Sequence, residues 1–326
     1  MRRAWRAELC PRYRLRNAPR PQRYTDANPH SRLNSRPAAS SNRTPLALAA
    51  LRLLPKHVLS RVVGQFATLR LPEPLQGWVI RAFARAVGVD FADVRDPVES
   101  FRCLQDFFTR ALRDGARPID PTPDAVVAPC DGQWGASGTV VDGTLLQIKG
   151  RPYSLAALLG DADTARAFEG GVYATFYLSP RDYHRFHMPC AAAVRRLLYL
   201  PGSLWPVNRL GVEGIDGLFA ENERLCAFLS VRGAGEDCCL VAVGATLVGK
   251  VCVTFDDLTT NKRGARPTAR SYVDPVPRFA KGEEWGRFEF GSTIVLVAAP
   301  GLMKLDAQPS GTPVRLGQGI GRLSHR

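Results

Sequence analysis

Three groups of residues have the types and spacing to do chemistry. Gly291-Ser292-Thr293 opens a short apolar run near the C-terminal end. A serine hydroxyl can attack the carbonyl of the peptide bond just before it, provided a neighbouring base takes its proton and the backbone is held in a strained approach. Gly291, with no Cβ, is the residue type that best tolerates such strain. The same tripeptide ahead of Ile294-Val295-Leu296-Val297 also reads as an ordinary turn entering a buried strand. The second group is Arg181-Asp182-Tyr183-His184-Arg185-Phe186-His187, stopped by Pro189 and preceded by an apolar stretch from Val172 to Leu178. His184 and His187 concentrate titratable groups beside that stretch, which makes a site edge. Histidines at this spacing can also converge on one ion, but no third ligand with metal-site spacing accompanies them, so no metal is expected. The third group is Asp131-Gly132, where an apolar stretch runs into a turn.

Asp131, His187 and Ser292 stand in the chain order acid, base, nucleophile, which is compatible with a triad because triads are defined by geometry. Two chemistries remain open on these residues. Attack on the chain itself predicts two fragments. A serine hydrolase acting on an external ester predicts an intact chain that accepts a serine-directed covalent inhibitor.

From about Leu54 to about Leu305 the chain resembles the phosphatidylserine decarboxylases, a self-processing, pyruvoyl-dependent family. The resemblance rests on Asp106-Phe107-Phe108-Thr109-Arg110-Ala111-Leu112, Gly115-Ala116-Arg117-Pro118-Ile119, Pro129-Cys130-Asp131-Gly132, Gln147-Ile148-Lys149-Gly150 and the Tyr183 to Pro189 segment. It continues through Pro201-Gly202-Ser203-Leu204-Trp205-Pro206-Val207-Asn208, Leu218 to Arg224, Val243-Gly244-Ala245-Thr246 and Gly286 to Thr293. Cys130, Glu221 and Phe290 depart from the family pattern without removing a group that the chemistry needs.

The resemblance implies that His187, oriented by Asp131, is the base for Ser292, whose oxygen attacks the Gly291 carbonyl. Elimination then frees Gly291 as a carboxylate, and loss of ammonia leaves a pyruvoyl group derived from Ser292 as the cofactor. It further implies decarboxylation of phosphatidylserine to phosphatidylethanolamine through a Schiff base, with His184 returning the proton. The partners so implied are phosphatidylserine, an anionic membrane surface and the two cleavage fragments as one complex, with a homodimer as a further option and no nucleic acid.

The elements that must position these residues read as an α+β fold, N-terminal helices followed by an antiparallel β-rich core. Residues 46–70 carry an apolar stripe that includes Val58, Val62 and Phe66, with basic residues interspersed, and Pro55 splits the stretch or starts its second helix. Such a helix can lie in a membrane interface or pack on the protein core. Further helices are expected over about Leu75 to Val87 and Glu99 to Leu112. Strands are expected at Thr139 to Ile148, Val172 to Leu178, Val194 to Tyr199, Leu225 to Val231, Cys239 to Phe255 and Thr293 to Ala298, and a mobile loop at Leu258 to Val276. The expected division is a disordered basic extension over 1–43, a helical, membrane-associating region over 44–118 and a catalytic core over 119–326, cut between 291 and 292.

Composition narrows the setting. Of the formal net charge of +14, the first 43 residues hold +9, from eleven Arg against Glu8 and Asp26, with a Pro-, Asn- and Ser-rich texture that argues for disorder. Eight cysteines form no Cys-x-x-Cys pair, which favours a reducing compartment. No apolar run is long enough to span a bilayer and no secretory signal core is present, so attachment is expected to be peripheral, on the cytoplasmic face of the cell membrane. The alternative is the mitochondrial inner membrane, if the Arg-rich N-terminus is a transit peptide.

Overall fold

The computed structural model describes residues 56–147, 151–207, 209–233, 235–246, 250–262, 264–289 and 293–325. The expected basic extension over 1–43, and the segment 290–292 with Gly291 and Ser292, lie outside the described residues.

A helix spans Lys56–Ala67, beginning at the residue after Pro55. A second spans Glu73–Val87 and ends at Gly88, whose φ of 83° is the left-handed conformation that glycine adopts without a steric cost. Its inner face carries Gln76, Gly77, Ile80 and Ala84 at helical spacing. Ile80 and Ala84 pack with Val94, Phe101 and Phe107 in a small core of their own. The helix expected over Glu99 to Leu112 is broken up. A 3-10 turn covers Val98–Ser100 and an α-helix covers only Leu104–Phe108. Cys103 is extended, and beyond Phe108 the backbone is claimed by other partners: Leu112 bridges Val94, and Arg95 N–H donates to the Ala111 carbonyl.

The remaining chain is mostly strand. In order the strands are β1 (Ala125–Val127), β2 (Gly132–Thr139), β3 (Thr144–Leu146), β4 (Pro152–Ser154), β5 (Val172–Tyr177), β6 (Arg185–His187), β7 (Ala192–Leu200), β8 (Arg224–Ser230) and β9 (Cys238–Val243). They continue as β10 (Val251–Val253), β11 (Thr268–Ser271), β12 (Arg278–Phe279), β13 (Glu284–Phe288), β14 (Thr293–Ala298), β15 (Met303–Leu305), β16 (Pro313–Val314) and β17 (Gly319–Leu323). The large sheet runs β11-β7-β8-β9-β14-β5-β2-β16, with β12 also on β7, and its pairings are antiparallel. Two small sheets, β10-β13-β6 and β1-β17-β15, complete the core.

Strand periodicity explains why the central strands are apolar throughout. Along β14, Ile294, Leu296 and Ala298 enter one core cluster, whereas Val295 and Val297 enter the other. The first cluster is shared with the small sheets through Phe186, Val251, Trp285 and Phe288. The second is shared with the helices Leu155–Leu159 and Leu218–Glu221 through Leu155, Leu158, Leu218 and Phe219. The sheet is therefore covered on both faces, and the side-chain period of two is hidden behind residues that are apolar at every position.

Two expected strands are each divided. The stretch Thr139 to Ile148 holds the end of β2 and then β3, which pairs with β4. The stretch Cys239 to Phe255 holds β9 and β10, because after Val243 the chain turns and Gly244 N–H donates to the Glu223 carbonyl at 2.7 Å. The expected loop from Leu258 to Val276 contains β11, paired along β7.

Candidate active site

His184 and His187 flank and end β6, which pairs with β13. The loop before them is built from its own side chains: Ser179 donates to Asp182 Oδ2 from both N–H and Oγ, each at 2.7 Å. That arrangement presents the Asp182 carbonyl to His184 Nδ1 at 2.8 Å. A carbonyl oxygen only accepts, so Nδ1 carries the hydrogen and the neutral ring leaves Nε2 with a lone pair. His184 is fully buried, with its ring 4.0 Å from that of Phe108. Burial, followed by the charge of the nearby Arg110, pushes its pKa down to about 3.

His187 follows the same pattern. Its Nδ1 lies 3.0 Å from the Gly282 carbonyl, and Nε2 is again the free lone pair. Burial depresses its pKa, against the bond to Gly282, which favours the charged form. Both Nε2 atoms are buried without a hydrogen-bond partner among the described residues. Thr293 Oγ1 and Tyr177 Oη are in the same condition, and register pairs Thr293 with Tyr177. Buried polar atoms left unpaired are uncommon, and each of these calls for a partner.

The Gly291-Ser292 bond lies outside the described residues, but its flanks are fixed. On one side Phe288 N–H donates to the His184 carbonyl at 2.9 Å. On the other, Thr293 opens β14 between β9 and β5. The segment 290–292 thus joins a strand end hydrogen-bonded to His184 itself to the centre of the large sheet.

Asp131 corrects one expectation. Its carboxylate does not hydrogen-bond to His187. It accepts from Arg117 Nε at 2.8 Å and Nη2 at 2.7 Å, and from Leu316 N–H at 2.9 Å. Arg117 Nη1 also donates to Asp93 Oδ2 at 2.8 Å, so one guanidinium ties the helical region to the β core. A bidentate, largely buried pair takes the directions that a histidine would need. The link to His187 is through the backbone: His187 N–H donates to the Pro129 carbonyl at 2.7 Å. Gly132 fixes the turn, with φ of 153° and a Cβ position only 2.2 Å from the Tyr177 carbonyl oxygen, so a side chain there would collide with backbone.

Comparison with known proteins gives this site its context. A family profile described as Phosphatidylserine decarboxylase matches residues 104–322, and one described as PSD matches residues 46–86. Proteins named phosphatidylserine decarboxylase proenzyme are similar over most of their length. That of Anaeromyxobacter sp. (strain K) is 46% identical over 280 residues, 85% of this chain and 98% of that protein. That of Brevibacillus brevis is 41% identical over 245 residues, 75% and 85% respectively. That of Myxococcus xanthus is 40% identical over 275 residues, 84% and 97%.

The chain belongs to the phosphatidylserine decarboxylase family. Three residues act on the site without having been singled out by the chemistry of their types. Arg117 holds Asp131, and Gly282 supplies the carbonyl under His187. Arg110 is buried, donates from Nη2 to the Arg181 and Asp182 carbonyls, and has Nε and Nη1 unpaired among the described residues. Burial pushes its pKa down to about 10, which leaves it charged at neutrality. Arg110 and Arg117 sit in the blocks Asp106 to Leu112 and Gly115 to Ile119, but nothing in those blocks signals which acid or carbonyl each arginine meets.

Proposed function

We propose that the chain cleaves itself between Gly291 and Ser292, and that Ser292 becomes a pyruvoyl group used to decarboxylate phosphatidylserine to phosphatidylethanolamine. The observation that carries this reading is the pair of buried neutral histidines with free Nε2 atoms beside the strand end leading to Ser292. A family whose relatives are named proenzymes supplies the reaction class.

His187 acts as the base in the first reaction. Its Nε2 lone pair accepts the Ser292 hydroxyl proton while Nδ1–H stays on the Gly282 carbonyl. Asp131 is a positioning residue. Its bonds to Arg117 and Leu316 hold the Pro129 to Gly132 turn that anchors the His187 backbone, and its negative charge favours the imidazolium that forms. The Ser292 oxygen leaves with Gly291 as its new carboxylate, and water replaces nitrogen at the former serine as ammonia departs.

A small carbonyl group at the position of Ser292 would adjoin Thr293, whose buried hydroxyl, like His184 Nε2, has no hydrogen-bond partner among the described residues. A pyruvoyl carbonyl supplies the electron sink for loss of carbon dioxide. His184 then handles the proton that must return to the product carbon. With Nδ1–H committed to the Asp182 carbonyl, Nε2 is the atom through which that proton would pass, taken from water and given on to the product carbon.

Among the described residues no helix is long and apolar enough to cross a membrane. Peripheral attachment is supported by the helix Lys56–Ala67, whose Ser60 and Ala67 are buried while Val58, Val62 and Phe66 form an outward stripe. Phe66 is 67% exposed, and Trp78 on the next helix, outside the stripe read from sequence, is 64% exposed.

The test is an intact mass of purified active protein. Two fragments are expected, with 292–326 lighter by one ammonia than its encoded sequence, and Ser292→Ala should give one uncut chain without decarboxylase activity. An active protein of full-length mass would overturn the proposal.

A further inference from the structure

Away from the histidines, the register of β12, β7 and β8 sets Arg278, Ala193 and Ser230 in one row across three strands. Residues directly opposite one another share a face of the sheet. Ala193, in the middle, contributes only a methyl group, and Ser230 is hardly larger, so the row is low beside Arg278. The depression opens into a groove of about 530 Å³, lined by Ala191, Ala193, Arg195, Ser230, Arg232 and Arg278 among others.

The arginines of this groove form no ion pair among the described residues. A bulge between Val194 and Arg196 lets Arg196 take the pairing position opposite Phe228, where it meets Glu236 through two hydrogen bonds. Arg195 is left at the groove, and neither its side chain nor that of Arg278 has a hydrogen-bond or ion-pair partner among the described residues. Arg232 donates from Nη2 only to carbonyl oxygens, those of Gly301, Leu302 and Ser324. Of the nearby acids, Glu236 is paired with Arg196, and Asp237 is held by the N–H groups of Val231 and Arg232 at 2.8 and 3.0 Å, which leaves one carboxylate against three guanidinium groups.

Ser230 supplies a second, independent observation. It is 4% exposed, lines the groove, and its Oγ has no hydrogen-bond partner among the described residues. A buried hydroxyl left unpaired is costly unless something else completes it. Three guanidinium groups and one hydroxyl donor around an open space match a tetrahedral anion with several acceptor oxygens.

The geometry points to a phosphate-binding site in this groove, one that takes a phosphate or phosphodiester group on Arg195, Arg232, Arg278 and Ser230. It shares no residue with the histidine site. The group has two sources, a lipid headgroup or free phosphate, and both present the same oxygens to the arginines.

The experiment uses the processed full chain as wild type, as the double variant Arg195→Ala/Arg278→Ala, and as Ser230→Ala. Each is titrated by calorimetry with inorganic phosphate and, separately, with short-chain phosphatidylglycerol below its micelle concentration. At least one probe should bind wild type, and the double variant should lose about tenfold or more in affinity for it, as expected for removal of charge-assisted hydrogen bonds. Ser230→Ala should weaken the same probe, and self-cleavage should remain normal in both variants. Loss confined to phosphatidylglycerol assigns the site to a headgroup, and loss of phosphate binding assigns it to the free ion. If neither probe binds, or both variants bind as wild type does, the inference is wrong. Should the double variant fail to process, Ser230→Ala alone decides by the same criterion.

Discussion

At the scale of single residues the two histidines look alike, each with Nδ1 on a carbonyl and Nε2 free, and yet they are proposed for different steps. His187→Ala should leave the chain uncut, because Ser292 then lacks its base. His184→Ala should still cut, at least partly, but release carbon dioxide poorly, because a positioned proton-transfer group is worth about 100-fold to 10,000-fold in rate. Gel analysis of processing beside measured carbon dioxide release separates the two, and the opposite pattern would exchange the roles. The depressed pKa values also carry a pH signature. For His184 the folded value is about 3, below the unfolded value of about 6.5. Between those values the unfolded chain binds a proton that the native chain refuses, so stability falls as pH drops through that window, by about 1.4 kcal/mol per pH unit for this group. His187 adds to the loss with the same sign. Urea midpoints at several pH values between 7 and 4 should therefore fall more steeply for wild type than for His184→Gln. Equal slopes would mean that His184 is not buried neutral.

At the scale of elements, the helix Lys56–Ala67 was legible as an amphipathic stripe, but not the direction in which the stripe faces. Periodicity is the same whether an apolar face meets protein or lipid. The decision lies in tertiary packing, where Ser60 and Ala67 turn inward and Val58, Val62 and Phe66 turn out. Replacing Val58, Val62 and Phe66 together by Asp should weaken flotation with liposomes while leaving self-cleavage intact, and adding Trp78→Asp should weaken it further. Unchanged flotation would place the membrane contact elsewhere. Strand β14 was legible to its ends because β-branched and apolar residues run unbroken from Thr293 to Ala298. The short helix Leu104–Phe108 was not, because local propensity over Glu99 to Leu112 favours a helix that the pairing of Leu112 with Val94 prevents. Residue type draws attention to His184, His187 and Asp131, but not to the partner each one meets. The candidate site was not legible where a backbone carbonyl does the orienting, because every residue carries one and only the fold selects Gly282 and Asp182.

At the scale of the whole molecule, the proposed cut falls at the edge of the strand on which the large sheet depends. The fragment 292–326 would carry β14, which lies between β9 and β5 with six residue pairs on each side. It would also carry β16 on β2, and β17 on β1 with β15 beyond it. Its side chains enter both core clusters, Ile294, Leu296 and Ala298 on one face and Val295 and Val297 on the other. Burying one aliphatic side chain of this size is worth about 1.5–3 kcal/mol, so several such residues oppose separation, and the strand cannot leave without exposing the sheet's unpaired edges. Cleavage should consequently leave one particle. The two fragments should co-elute on gel filtration in native buffer, part only in denaturant, and unfold in a single transition at the same urea concentration by fluorescence and by circular dichroism. Release of 292–326 under native conditions would show that the strand pairing of β14 does not hold the processed protein together.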